Sequence, residues 1–249
     1  MLKATWDNSS AYVNQMSFGL SRQVSYREME SALELLCDAH PILRTSFFNT
    51  SDGMYQYVQP KVSLALSISS DLQQYCQEDL ARGFHIKDLN LFRFGLIGNN
   101  DDGFSHAVLT IHHVLYDGWC LPALLTDLSL LCNGQTIEST PPFKSVIQHI
   151  AAQDPAEGQD YWTKYLGQVE PFSWTQRESV PDADLSAVVA EAQLSISNLN
   201  QASSRAQITL STLTKAAWAL TLQLYTQQKE ALFGTVVSGR DMPIPEVER

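Results

Sequence analysis

Apolar residues occupy alternate positions at Ala107, Leu109 and Ile111, and then recur at helical spacing at Leu121, Leu124, Leu125 and Leu128. Side chains repeat every two residues along a strand and every 3.6 along a helix, so the change of period predicts a buried strand running into a helix. Residues 112–119 lie at the junction, where rigid elements can hold side chains at the edge of a cleft. Towards the N-terminus the pattern predicts a strand at 12–20. A helix follows, opened by the capping box of Ser25 and Glu28, with Met29, Leu33 and Leu36 on its apolar face and Pro41 as its stop. Strands are predicted at 43–48 and 54–58 around turn residues 49–53, and at 62–68 from the alternation of Val62, Leu64, Leu66 and Ile68. Asp71 caps a helix that turns Leu72, Tyr75, Cys76 and Leu80 inward and ends at Gly83, and residues 91–97 lead through a turn at 99–103 into the central strand.

Past the leucine-rich helix, Asn133-Gly134 and Ser139-Thr140-Pro141-Pro142 punctuate the chain, and amphipathic segments follow at 143–152 and 156–166. Residues 167–184 show no period, which places a lobe boundary there. Beyond it the pattern predicts a strand at 187–196, a largely apolar helix at 213–225 and a buried strand at 231–238. The interleaving of strands and helices gives an α/β class. The expected division is 1–170 as a first lobe and 171–249 as a linker with the start of a second.

Composition narrows the partners. With 249 residues, 44% of them hydrophobic, the chain can bury a core. A net charge of −11 without any lysine or arginine cluster argues against nucleic acid and anionic membrane, both of which are bound through concentrated positive charge. Cys37, Cys76, Cys120 and Cys132 show no C-x-x-C spacing and sit in apolar helical patterns, which reads as buried free thiols. No apolar run reaches the roughly 20 residues that span a bilayer, and none resembles a signal peptide, so a cytoplasmic protein is expected.

The junction reads His112-His113-Val114-Leu115-Tyr116-Asp117-Gly118-Trp119. A free imidazole has a pKa of about 6.5 and can accept a proton from an amine at neutral pH. Neighbouring strand residues point to opposite faces, so His112 belongs beside Val108 and Thr110 as a packed histidine while His113 stands at the open end. The same geometry argues against a metal held by His112, His113 and Asp117.

His-His-x-x-x-Asp-Gly, followed by Trp119 and a leucine-rich helix, resembles the active-site motif of condensation domains of nonribosomal peptide synthetases, in the chloramphenicol-acetyltransferase-like superfamily. The Leu-Tyr before Asp-Gly-Trp is most similar to fungal members. The passage His40-Pro41-Ile42-Leu43-Arg44-Thr45-Ser46-Phe47 resembles a second motif of that family, and the order of the strand at 187–196, the helix at 213–225 and the strand at 231–238, which ends in Ser238-Gly239-Arg240, is similar to the start of its second lobe.

The resemblance implies an amide-forming acyltransferase. It joins donor and acceptor thioesters carried on the phosphopantetheine arms of peptidyl carrier proteins, beside an adenylation domain, and has no directly bound cofactor. His113 is then the base or the group that positions the amine, and Asp117 is a structural anion paired in a buried bridge with Arg44. Gly118 either offers its N–H to an oxyanion or serves loop geometry. Trp119 is core or substrate wall, and Arg240 lines the channel or ends in solvent. The fold the resemblance implies is an α+β sandwich, a chloramphenicol-acetyltransferase-like lobe with a mixed sheet and flanking helices; the family's domains are longer, so the chain reads as a fragment whose second lobe has barely begun. Two further readings stay open: a non-catalytic remnant or carrier-docking module, and an acyltransferase that uses coenzyme A thioesters.

Overall fold

The computed structural model describes residues 1–62, 64, 66–85, 87–99, 103–139, 141–167, 169, 193–245 and 247, with Trp6 and Asp7 described by backbone alone. The elements run α1 (Leu2–Asp7), β1 (Val13–Val24), α2 (Tyr26–Ala39), a 3₁₀ turn (Pro41–Arg44), β2 (Thr45–Thr50), β3 (Gly53–Val58), β4 (Ser67–Ser69), α3 (Leu72–Arg82), β5 (Phe92–Asn99) and β6 (Gly103–His112). They continue as α4 (Cys120–Cys132), α5 (Lys144–Ala151), α6 (Pro155–Leu166), α7 (Ile196–Arg205) and α8 (Leu210–Thr226). The main sheet has the order β1-β6-β5-β4. Its centre, β6, is antiparallel to both neighbours, and β4 lies parallel to β5. Strands β2 and β3 form a separate hairpin.

Local chemistry starts and stops the helices. The Ser25 hydroxyl accepts the Glu28 N–H at 3.3 Å and the Glu28 carboxylate accepts the Ser25 N–H at 2.8 Å, completing the capping box at the head of α2. Asp71 caps α3 through the Gln74 N–H at 2.9 Å. On one face of the sheet, Leu33 and Leu36 of α2 and Leu124 and Leu128 of α4 meet Phe92, Phe94, Leu109 and Ile111 around one small gap. The other face carries a polar layer. There Arg93 of β5 donates to Asp79 of α3 at 2.6 Å and lies 4.2 Å from the ring centre of Phe84.

Tyr75 of α3 lies directly over Gly95 of β5, and a Cβ added there would come within 2.3 Å of the tyrosine ring. Gly95→Ala is therefore expected to cost about 1–3 kcal/mol, because the ring or the helix must shift to admit one methyl group. Urea titration would show this as a lower midpoint at unchanged slope.

The structure departs from the pattern in several places. Strand β2 begins only at Thr45, since Pro41 opens a 3₁₀ turn that takes up the preceding residues. Of the alternating run at 62–68, only residues from Ser67 onward pair with a neighbour, while Val62 and Leu64 pack against the core without a ladder; residues 63 and 65 lie outside the described set. Of the strand expected at 187–196, residues 187–192 also lie outside it, residues 193–195 have no regular structure, and Ile196 opens α7, capped by the Ser195 hydroxyl. Residues 231–238 are not a strand: no neighbouring edge pairs with them among the described residues, and Val236 is fully exposed.

Two compact units result, one of Met1–Ile147 with Ser238–Arg249 and the other of Gln148–Val237. The chain returns to the first unit at its end. In the second unit α7 and α8 pack together, and Leu220, Leu224 and Tyr225 of α8 are exposed. Among the described residues no helix is long and apolar enough to cross a membrane.

Candidate active site

The site is built where β6 ends beside the start of β1. In that ladder Val13 pairs with His112 and Asn14 with Ile111. One residue further, the His113 N–H donates to the Tyr12 carbonyl at 2.8 Å. Tyr12 has φ +59°, in the left-handed region that non-glycine residues seldom adopt, and it stands at the head of β1.

His112 is fully buried. Its Nδ1 accepts the Val114 N–H at 3.0 Å, which leaves the proton of the neutral ring on Nε2, where it donates to the Thr5 hydroxyl at 2.8 Å. Phe84 packs edge-on against the ring. Burial lowers the pKa from 6.5 to about 4, helped by the positive N-terminus and by His113. The folded protein therefore takes up this proton only near pH 4, while the unfolded chain takes it up near 6.5. Between those values the unfolded state binds more protons, so stability is full above about pH 6.5 and falls by about 3 kcal/mol as the pH drops to 4. Chemical denaturation across this range, with NMR titration of the His112 ring, is expected to show that loss together with a ring that stays neutral to about pH 4.

His113 is only partly buried. Its ring stacks on Tyr116, with centroids 4.7 Å apart and planes 18° from parallel. Nδ1 is buried without a hydrogen-bond partner among the described residues, and Nε2 makes no hydrogen bond among them. Tyr116 is itself anchored, because its hydroxyl accepts a hydrogen bond from the Asn14 amide.

Asp117 closes the turn and caps α4. One carboxylate oxygen accepts the N–H groups of Trp119 at 3.0 Å and Cys120 at 2.8 Å, and the other meets the Arg240 guanidinium at 3.0 Å. Burial pushes the carboxyl pKa up, but the contacts from Cys120 and Arg240 outweigh it and hold Asp117 below the ordinary carboxylate value. The expected buried bridge between Asp117 and Arg44 does not form. Arg44 ends the 3₁₀ turn that follows α2 and spends its guanidinium on backbone carbonyls, that of Cys37 in the last turn of α2 at 2.9 Å and that of Gln59 beyond β3 at 2.7 Å. Helix-terminal carbonyls lack intrahelical donors, and a planar guanidinium suits them. The partner of Asp117 is Arg240, brought in by the returning C-terminal segment. The bridge is also not buried, since the Asp117 side chain is 53% exposed. Arg240 is further fixed by donation to the Val247 carbonyl at 2.8 Å.

A family model described as "Condensation domain" matches residues 1–249. The chain belongs to the condensation-domain family. Among its relatives, "Nonribosomal peptide synthetase 6" of Alternaria brassicicola is 30% identical over 249 residues, a match covering 96% of this chain and 16% of that protein. "Nonribosomal peptide synthetase sidD" of Aspergillus fumigatus is 31% identical over 240 residues, covering 95% of this chain and 11% of that one. The chain thus spans less than a fifth of the length of these relatives. Among solved structures, "The crystal structure of CT mutant" shares the fold with a TM-score of 0.72 at 21% identity, covering 99% of this chain and 56% of that chain. The structure titled "Molecular basis for condensation domain-mediated chain release from the enacyloxin polyketide synthase" does so with a TM-score of 0.68 at 15% identity, covering 88% of this chain and 47% of that one. The fold is the chloramphenicol-acetyltransferase-like one.

The remaining motif residues of this condensation domain line the outer side of the turn. Gly118 is exposed, a Cβ added there would meet nothing within 4 Å, and its N–H has no partner among the described residues. Its φ lies outside the left-handed region, so loop geometry does not require a glycine at this position. Trp119 is 53% exposed at the head of α4 rather than packed in the core. All four cysteines are free thiols, and burial pushes the pKa of Cys120, beside Asp117, up. No group of three or more histidine, cysteine or acidic residues is placed to hold a metal among the described residues. Sequence reasoning missed Tyr12, Asn14, Tyr116 and Thr5 as parts of the site. Tyr116 lay within the motif spacer, while the other three become neighbours only through the pairing of β1 with β6 and the contact of α1 with it.

Proposed function

We propose that this condensation domain joins two carrier-bound thioesters through an amide bond, with His113 handling the proton. The amine of an acceptor aminoacyl thioester attacks the carbonyl carbon of the donor thioester. His113 Nε2 takes or orients the amine proton, the C–S bond breaks, and the donor's phosphopantetheine sulfur leaves as a thiol once it regains a proton. The observation that carries this reading is the state of His113: a partly exposed imidazole whose Nε2 is unengaged among the described residues, seated by the Tyr12 carbonyl at the strand end. The Gly118 N–H suits the oxygen that gains negative charge during attack. Asp117 acts indirectly, holding the turn and the head of α4 through Cys120 and Arg240. The names of the fungal relatives support donor and acceptor carrier proteins and an adjoining adenylation domain as partners.

The test is to mix the protein with two carrier proteins, each loaded with an aminoacyl-phosphopantetheine, and to follow the acceptor carrier by intact mass spectrometry. The assay is run on the 249-residue chain and on a version extended along its reading frame. A dipeptidyl acceptor carrier is the expected product. Acylation of a free amine from a coenzyme A thioester, with no transfer between carriers, would overturn this reading in favour of a coenzyme A acyltransferase.

A further inference from the structure

A reacting imidazole is commonly oriented by a hydrogen bond at its second nitrogen. His113 lacks one: its Nδ1 is buried and has no partner among the described residues. Rotation of the ring about its side-chain torsions must be limited in another way. Among the described residues one contact has the right shape, the Tyr116 ring stacked at 4.7 Å and 18°. Stacking of this kind biases a ring between orientations, provided the tyrosine is itself fixed. It is fixed by Asn14, whose amide donates to the Tyr116 hydroxyl. Asn14 stands on β1, where it is paired with Ile111, two residues after the Tyr12 carbonyl that holds the His113 backbone.

We propose that Tyr116 is a positioning residue for His113 and that Asn14 sets its place, so that the start of β1 fixes both the backbone and the ring of the reacting histidine. The Asn14 side chain, the Tyr116 ring and the His113 ring form a chain from a rigid ladder to the imidazole. When the ring gains a proton, the face of the tyrosine also meets a cation favourably, which keeps the stack in place through the proton transfer. This inference rests on His113 being the reacting group.

The test uses three variants of the full chain. Tyr116→Phe keeps the ring and loses the hydroxyl, Asn14→Ala removes the donor, and Asn14→Asp replaces it with an acceptor for the tyrosine O–H. The His113 ring protons, assigned in NMR spectra by their loss in His113→Ala, report the stack through the ring current of Tyr116. Both Tyr116→Phe and Asn14→Ala are expected to move these signals towards those of an unstacked imidazole and to lower kcat roughly 10-fold at unchanged KM, with melting temperatures close to the parent. Asn14→Asp is expected to restore both. Unchanged His113 signals, or an unchanged kcat in Tyr116→Phe and Asn14→Ala, would overturn the proposal. Retention of full activity by His113→Ala would instead remove the reading on which it rests, and the NMR measurement still decides whether Asn14 and Tyr116 orient the ring.

Discussion

His113→Ala is expected to lower the rate of amide formation by roughly 10²–10⁴-fold, the usual contribution of a positioned acid–base group. The side chain is partly exposed and its nitrogens make no hydrogen bonds among the described residues, so its loss removes only the stack on Tyr116 from the folded structure. Stability should therefore hold while activity falls. His112→Ala should do the reverse in its first effect. That ring is fully buried, bonded at both nitrogens to Thr5 and Val114, and packed against Phe84, so its removal leaves a cavity and an unpaired N–H. Carrier-based mass spectrometry and thermal melts on the two variants separate these outcomes. A well-folded His113→Ala protein with full activity would show that catalysis lies elsewhere.

The second large effect is expected at Asp79. Its carboxylate is buried and receives the Arg93 guanidinium at 2.6 Å, and the Gln15 amide bridges it at 3.3 Å to Thr110 at 3.1 Å. Arg93 is in turn committed to the carbonyls of Gly83 at 2.7 Å and Asp79 at 2.8 Å. Asp79→Ala would strand a guanidinium that is mostly out of water, at an expected cost of about 3–5 kcal/mol. Asp79→Leu with Arg93→Met removes both charges and should cost less than the sum of the single changes, because no unpaired ion remains. Urea denaturation of the two singles and the double gives the coupling. The network joins β1, β5, β6 and α3 on the face that also buries His112, so losing it should also loosen the strand end that seats His113. Burial pushes the Asp79 carboxyl up, but hydrogen bonds and charge from Arg93, with Thr110 and Gln15, hold it below its ordinary value. Its contribution is present above about pH 4 and is lost only as the pH falls through the folded pKa. That range lies below the window in which His112 acts.

Local signals were legible in the sequence because their causes act within a few residues. The capping box at Ser25 and Glu28, the Asp71 cap, and the change from strand to helix period around 107–128 all depend on neighbours along the chain, and each stands in the structure where the pattern placed it. The eight-residue junction motif was legible as well, and with it the family. Partners distant in sequence were not. The resemblance implied Arg44 as the partner of Asp117 and left Arg240 to the channel or to solvent, and nothing local in the sequence corrects that pairing. The choice was made by the path of the chain, which brings Arg240 back across 123 residues while Arg44 is consumed by the carbonyls of Cys37 and Gln59. The run at 231–238 shows the same limit from the other side: its residues suit a buried strand, but a strand forms only against an edge, and none pairs with it among the described residues. For the site itself, the sequence determined that a histidine with an aspartate and a glycine would stand at a strand end. Only the tertiary structure decided what surrounds that histidine, because Tyr12 reaches its backbone and Asn14 reaches Tyr116 through the β1–β6 ladder, and a ladder's register is set by packing across the sheet rather than by either strand alone.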